Sequence, residues 1–198
     1  MLWIVIVLLV ATVVALVRGG RLANLADIRL RLWWLLPLGF LLQLATAFVP
    51  TENRWRGVGI GLVLLSFVPL LVLVILNRER SGMWLAGIGV LLNFSVIALN
   101  GGMPVLTEAA NVAAGGIASS SFEESFKHVR LDETTRLSFL GDVIPMRLLG
   151  QGQVVSLGDV FLAVGLGRFL ESELRRPVRW FKRGVSSKAG SATRFRRT

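Results

Sequence analysis

The chain has 198 residues, 54% of them hydrophobic, with no cysteine, one histidine and a formal charge of +10. That length fits one domain, and apolar residues gathered in long unbroken blocks mark a membrane protein rather than a soluble one. Disulfide and thiolate chemistry are excluded, and the lone His128 leaves no His-rich zinc site. Most of the positive charge sits in a tail after the last apolar block, where anionic lipid is a nearer partner than nucleic acid.

Five apolar runs follow one another, at residues 1–17, 32–49, 58–76, 83–99 and 154–170, the last containing one charge, Asp159. Each approaches the ~20 residues that a helix needs to cross hydrocarbon. Backbone groups cannot go unpaired in lipid, so such runs are expected to be helical. The first lacks the positive n-region of a signal peptide and is longer than a typical h-region, so it is read as a retained helix. The expected fold is an all-α membrane protein. Five transmembrane helices form a membrane domain over residues 1–170, with an outer loop at 101–153 and a basic tail at 171–198.

Loop charge sets the expected direction. Arg18, Arg21, Arg29 and Arg31 follow the first run, Arg78 and Arg80 lie between the third and fourth, and the tail is rich in arginine and lysine. The 101–153 loop instead carries six acids (Glu108, Glu123, Glu124, Asp132, Glu133, Asp142) against Lys127, Arg130, Arg136 and Arg147. The positive-inside rule then places the N-terminus outside and the C-terminus in the cytoplasm. Within the tail, Arg175, Arg176, Arg179, Trp180, Lys182 and Arg183 suit a stretch lying on anionic headgroups. The plainer role for that stretch is a topology anchor. The last residues, small, polar and basic, are expected to be disordered.

The outer loop is the segment with room for a site. It opens with Asn100, Gly101 and Gly102 and an extended exit at Met103-Pro104. A small-residue stretch follows, expected to be mobile, and then "FKHVRLDETTRLSFLGDVIP", with Pro145 ending it as a turn. Leu140-Gly141-Asp142-Val143 recurs as Leu157-Gly158-Asp159-Val160. Each polar residue has a structural explanation. Asn100-Gly101 fits a helix C-terminus, His128 a solvated loop position, and Asp142 a turn. Ser156-x-x-Asp159 fits a capping box. The chemical reading brings Asp142 and Asp159 together at the outer membrane face, since no span separates them. Two carboxyls in a low dielectric cannot easily both ionise, so one offers a base for water and the other an acid for a carbonyl oxygen. Asn100, Gly101, Gly102 and His128 would then position substrate, with no metal and no cofactor.

"ALNGGMPV", "KHVRLDETTRLSFLGDVIP" and "VSLGDVFLAVG" resemble an uncharacterised bacterial integral membrane family, domain of unknown function DUF5317. The resemblance runs from the first helix to about Leu170 and leaves the tail outside. It implies location and topology but brings no activity, cofactor or partner. In layout alone, Asn100, Asp142 and Asp159 are also similar to the outer-face asparagine and two aspartates of lipoprotein signal peptidases. Phe139 and Val143 flank Asp142 where that family has Asn-x-x-Asp-Arg, Ser156 stands where it has Asn, and it has four spans.

The sequence therefore leans toward a non-catalytic accessory or structural membrane protein. The alternative is a membrane aspartyl hydrolase acting on a lipid-linked or transmembrane substrate. A small-molecule carrier stands third, because no span before the fifth holds a mid-bilayer charge and no inverted repeat is visible. No protein partner is named by the residues.

Overall fold

The computed structural model describes residues 2–50, 52–115 and 125–177. Six helices and four short strands follow in chain order: α1 (Leu2–Val17), α2 (Leu35–Ala45), α3 (Arg56–Leu76), α4 (Met83–Asn100), β1 (Met103–Val105), α5 (Thr107–Ala113), β2 (His128–Arg130), β3 (Asp142–Leu148), β4 (Gln151–Ser156) and α6 (Leu157–Leu174). The protein is thus mostly helical but not all-α, because the loop expected between the fourth and fifth apolar runs carries a four-stranded sheet.

Two helices, Arg56–Leu76 and Met83–Asn100, are long and apolar enough to cross a membrane, and Trp3–Val17 and Leu35–Phe48 are shorter apolar helices. On α3 the buried positions are Gly59, Val63, Ser66, Pro69, Leu73 and Val74, and on α4 they are Met83, Ala86, Gly89, Val90, Asn93, Val96 and Ile97. Both series recur every three or four residues, one face of an α-helix. The faces meet in a row: α6 lies between α1 and α4, α3 packs on α4, and α2 packs on α3.

The α4–α6 contact is the tightest, and glycines make it so. A methyl group on Gly89 would collide with the Gly158 carbonyl oxygen, and one on Gly165 with the Ala86 backbone nitrogen. Helix backbones approach this closely only where side chains are absent.

The sheet caps one end of this row. Its order is β2-β1-β3-β4, with β1 parallel to both neighbours and β3 antiparallel to β4. Pro145 does not end a turn but sits inside β3, opposite Val154, just past the bulge between Asp142 and Ile144. It is tolerated because β1 pairs with β3 only at Asp142, leaving the Pro145 side of the strand without that neighbour. The fifth apolar run is corrected too. Residues 154–156 finish β4, and the helix starts at Leu157. Part of the small-residue stretch expected to be mobile forms α5; residues 116–124 lie outside the described residues. At the sheet end, Val63, Val96, Ile97, Met103 and Leu140 form one buried cluster and Trp3, Val155 and Ala163 another.

The opposite end is clamped by two acids at the end of α6. Glu171 meets Arg18 at 2.8 Å and Arg168 and Arg175 at 3.3 Å. Glu173, only 2% exposed, meets Arg80 at 2.9 Å and Arg176 at 3.0 Å. Arg80 also donates to the Arg29 carbonyl. The Asn24 amide donates to the carbonyls of Leu174 and Arg176 at 2.7 and 2.8 Å. Asn77 pairs both ways with the Arg31 backbone at 2.9 and 3.1 Å. Arginines that read as a loose charge bias are here structural ties that draw the turns after α1 and α3 onto α6. Of the headgroup-binding residues expected in the tail, Arg175 and Arg176 make these ties, while Arg179, Trp180, Lys182 and Arg183 lie outside the described residues.

Candidate functional site: a buried aspartate and the Asn93–Asp159 ring

The hairpin of β3 and β4 folds the chain back so that Asp142 stands in register with Ser156, the residue immediately before α6. Ser156 is the N-cap of that helix, its hydroxyl oxygen accepting the Asp159 backbone N–H at 3.0 Å. Serine at this position satisfies one of the free N–H groups of the first turn. The same hydroxyl donates to Asn93 Oδ1 at 3.0 Å, and Asn93 Nδ2 donates to Asp159 Oδ1 at 2.7 Å. Ser156, Asn93 and Asp159 therefore close a ring of three hydrogen bonds across the α4–α6 interface. In the simple capping box the acid would reach back to the N-cap residue's own N–H; here Asp159 Oδ1 accepts from the Asn93 amide of the neighbouring helix.

The glycines of the two Leu-Gly-Asp-Val copies share one function. A methyl group on Gly158 would strike Asn93 Oδ1, and one on Gly141 would lie 2.6 Å from the Pro104 carbonyl oxygen. Each glycine lets a neighbouring element approach the backbone just ahead of an aspartate.

Asp142 is held differently. Its backbone carbonyl accepts from the Leu106 N–H at 3.0 Å, but its carboxyl is buried, and among the described residues Oδ1 has no hydrogen-bond partner. Burial, and then the charge of Asp159, push the Asp142 carboxyl up to about 7. Near neutrality this group holds its proton for much of the time, beside a second carboxyl gripped by an amide.

His128, on β2 in register with Met103, is exposed, yet burial of part of its ring and the charge of Lys127 hold it below the usual histidine range, against an opposing pull from Asp159. Asp159 is thus close enough to act electrostatically on both Asp142 and His128. Asn100 is not free to assist them. Its Nδ2 donates to the carbonyls of Val96 and Arg136 at 2.8 and 2.9 Å, and its Oδ1 accepts the Arg136 N–H at 2.9 Å. It locks the loop to the end of α4. Gly101, with φ of +68°, terminates that helix, its N–H donating to the Ile97 carbonyl. Gly102 makes room for Val129, whose Cγ1 would lie 2.8 Å from a methyl group there. The asparagine at the site is Asn93, about two turns earlier on α4. Its signal in the sequence is a lone amide in the middle of an apolar run, without any indication that α6 would be its neighbour. Among the described residues no three His, Asp or Glu side chains converge to hold a metal ion.

The architecture is that of a mostly helical protein with membrane-compatible helices, capped by a small sheet over a carboxyl pair. The chain belongs to the family of unknown function DUF5317, whose family model matches residues 27–170, from the turn after α1 through most of α6. It is similar to an uncharacterized protein of Thermotoga maritima, 30% identical over 149 residues, an alignment covering 74% of this chain and 78% of that protein. No solved structure matches the chain.

Proposed function

We propose that this is a multi-pass bacterial plasma-membrane protein in which α1, α2, α3, α4 and α6 span the bilayer, with the N-terminus and sheet outside and the arginine-tied end in the cytoplasm. The convergence of Arg18, Arg80, Arg175 and Arg176 on the end of α6, opposite the sheet, supports that direction.

At the sheet end we infer an acid–base site of the aspartyl-hydrolase type, acting on a lipid-linked or transmembrane substrate. One observation carries it: the buried Asp142 carboxyl has an Oδ1 without a hydrogen-bond partner among the described residues and feels the charge of Asp159, which Asn93 holds. Asp159 takes a proton from water as the water oxygen attacks the substrate's carbonyl carbon. Asp142 donates its proton to the substrate oxygen, giving a gem-diol; the bond from its carbon to the leaving group then breaks as Asp159 protonates that group, and Asp142 takes back a proton from a gem-diol hydroxyl, which resets both carboxyls. Asn93 keeps Asp159 oriented.

The second reading, a non-catalytic accessory protein, is favoured by the way Asn93, Ser156 and Asn100 are committed to one another and to backbone. The test is turnover of bacterial polar lipids and of a panel of single-span peptides in proteoliposomes, followed by mass spectrometry. Hydrolysis products formed by the wild type and lost in both Asp142→Asn and Asp159→Asn would support the hydrolase. Identical profiles for all three proteins would leave the accessory reading.

A further inference from the structure

The β3–β4 hairpin turns at Leu149 and Gly150, with φ of +51° and +78°. A tight turn of this hand suits Asn, Asp or Gly at its first position, and a leucine there is strained. Leu149 is also 85% exposed. One residue thus combines an unfavourable backbone with a large apolar side chain projecting from the tip.

The tip has company. Helix α5 packs on both strands of the hairpin. A methyl group on Gly152, which pairs with Arg147 near the turn, would strike the Ala113 carbonyl, and one on Gly115 would lie 2.5 Å from an Arg147 guanidinium nitrogen. That seats the end of α5 over the distal half of the hairpin and brings Val112, 62% exposed, to the same end of the sheet. Two aliphatic side chains and one exposed guanidinium therefore share this edge.

The other side of the hairpin faces a helix of the bundle. Met146 and Leu148 join the cluster of Trp3, Val155 and Ala163, together with Ile4 and Val7 from the first turns of α1. The hairpin thus runs beside the beginning of an apolar helix that shows Val5 and Leu9 to its surroundings. Apolar side chains beside a cation, at the level where such a helix starts, suit the boundary between headgroups and acyl chains.

We propose that the hairpin tip is a membrane-dipping wedge: Leu149 and Val112 enter the headgroup–acyl boundary while Arg147 sits at the phosphate level. This rests on the membrane reading above but not on the acid–base one. The occupant of the patch is lipid rather than a protein partner, because the hairpin that carries it packs on the first turns of the apolar helix α1 and the patch carries positive charge.

The absence of cysteine allows a direct test. Spin labels are placed at Leu149→Cys and Val112→Cys, at Leu65→Cys on the exposed face of α3 as a lipid control, and at Glu133→Cys as an aqueous control. The proteins are reconstituted in vesicles of phosphatidylethanolamine and phosphatidylglycerol. Accessibility to oxygen is then compared with accessibility to a water-soluble nickel chelate. The expected result is an oxygen-to-nickel ratio at Leu149 and Val112 several-fold above that at Glu133 and approaching that at Leu65. A ratio matching Glu133, or labels shielded from both reagents, overturns the wedge while leaving the membrane reading intact. An aqueous ratio at Leu65 itself overturns both.

Discussion

Asn93 on α4 and Asp159 on α6 are joined side chain to side chain at 2.7 Å, and Ser156 closes the ring between them. Asn93 supplies both the donor that Asp159 needs and the acceptor that the buried Ser156 hydroxyl needs, so a single side chain satisfies two groups of the other helix.

Removing it strands both. Asn93→Ala is expected to lower stability by about 1–3 kcal/mol, the usual cost of leaving buried polar groups unpaired. Asn93→Asp should cost more, because it sets a carboxyl against Asp159. Thermal unfolding in detergent measures both, and an unchanged midpoint for Asn93→Ala would show that the ring contributes nothing to folding.

Asp142 makes stability depend on pH. The unfolded chain releases this proton near 3.8 and the folded protein near about 7, so between those values the folded state binds more protons. Stability should therefore fall as pH rises through this window and level off above it, by a total on the order of 2–4 kcal/mol. Asp142→Asn keeps the shape without the charge and should flatten the slope, leaving the variant more stable than the wild type on the alkaline side. Denaturant titrations across the window decide it, with equal slopes counting against the buried carboxyl.

Gly89→Ala is expected to push α4 and α6 apart, since the added methyl group meets the backbone carbonyl of Gly158 and not a side chain that can swing away. Overpacking of this kind costs about 1–3 kcal/mol. It should also reduce the yield of a disulfide engineered across the α4–α6 contact in the otherwise cysteine-free chain.

Two glutamates make a contrasting pair. Glu173 is 2% exposed and faces Arg80, whose side chain is 20% exposed, so Glu173→Gln leaves a guanidinium largely out of water without its carboxylate. A loss of about 3 kcal/mol is expected, at the lower end for breaking a buried pair. Glu52 and Arg54 lie 2.8 Å apart in the open, and Glu52→Gln should cost about 0–1 kcal/mol. Comparable losses for the two variants would refute the distinction.

The helices were legible because their signal is local. The charge-free or nearly charge-free runs at 2–17, 35–45, 56–76 and 83–100 all fold as helices near the predicted bounds. The strands were not, and for a physical reason. β1 and β2 are three residues each, β3 contains a proline, and the two valines of β4 merge into the apolar run of α6. What makes them strands is pairing between distant parts of the chain, as where Met103 meets His128. The same limit applies to the site. Ser156 and Asp159 were readable as a cap, and the repeated Gly-Asp pairs drew attention to Asp142 and Asp159. Asn93 gave only a polar residue out of place, because its importance depends on which helix lies beside it.

The chain passes from α4 to β1 across only Gly101 and Gly102, and from β4 into α6 with no residue between them. The helices that interlock through glycine are therefore also the two from which the sheet is hung. The cap is thus tethered to both helices by very short links. α6 itself runs from the sheet to Glu171 and Glu173, so one continuous helix joins the cap to the acids that hold the arginines at the far end.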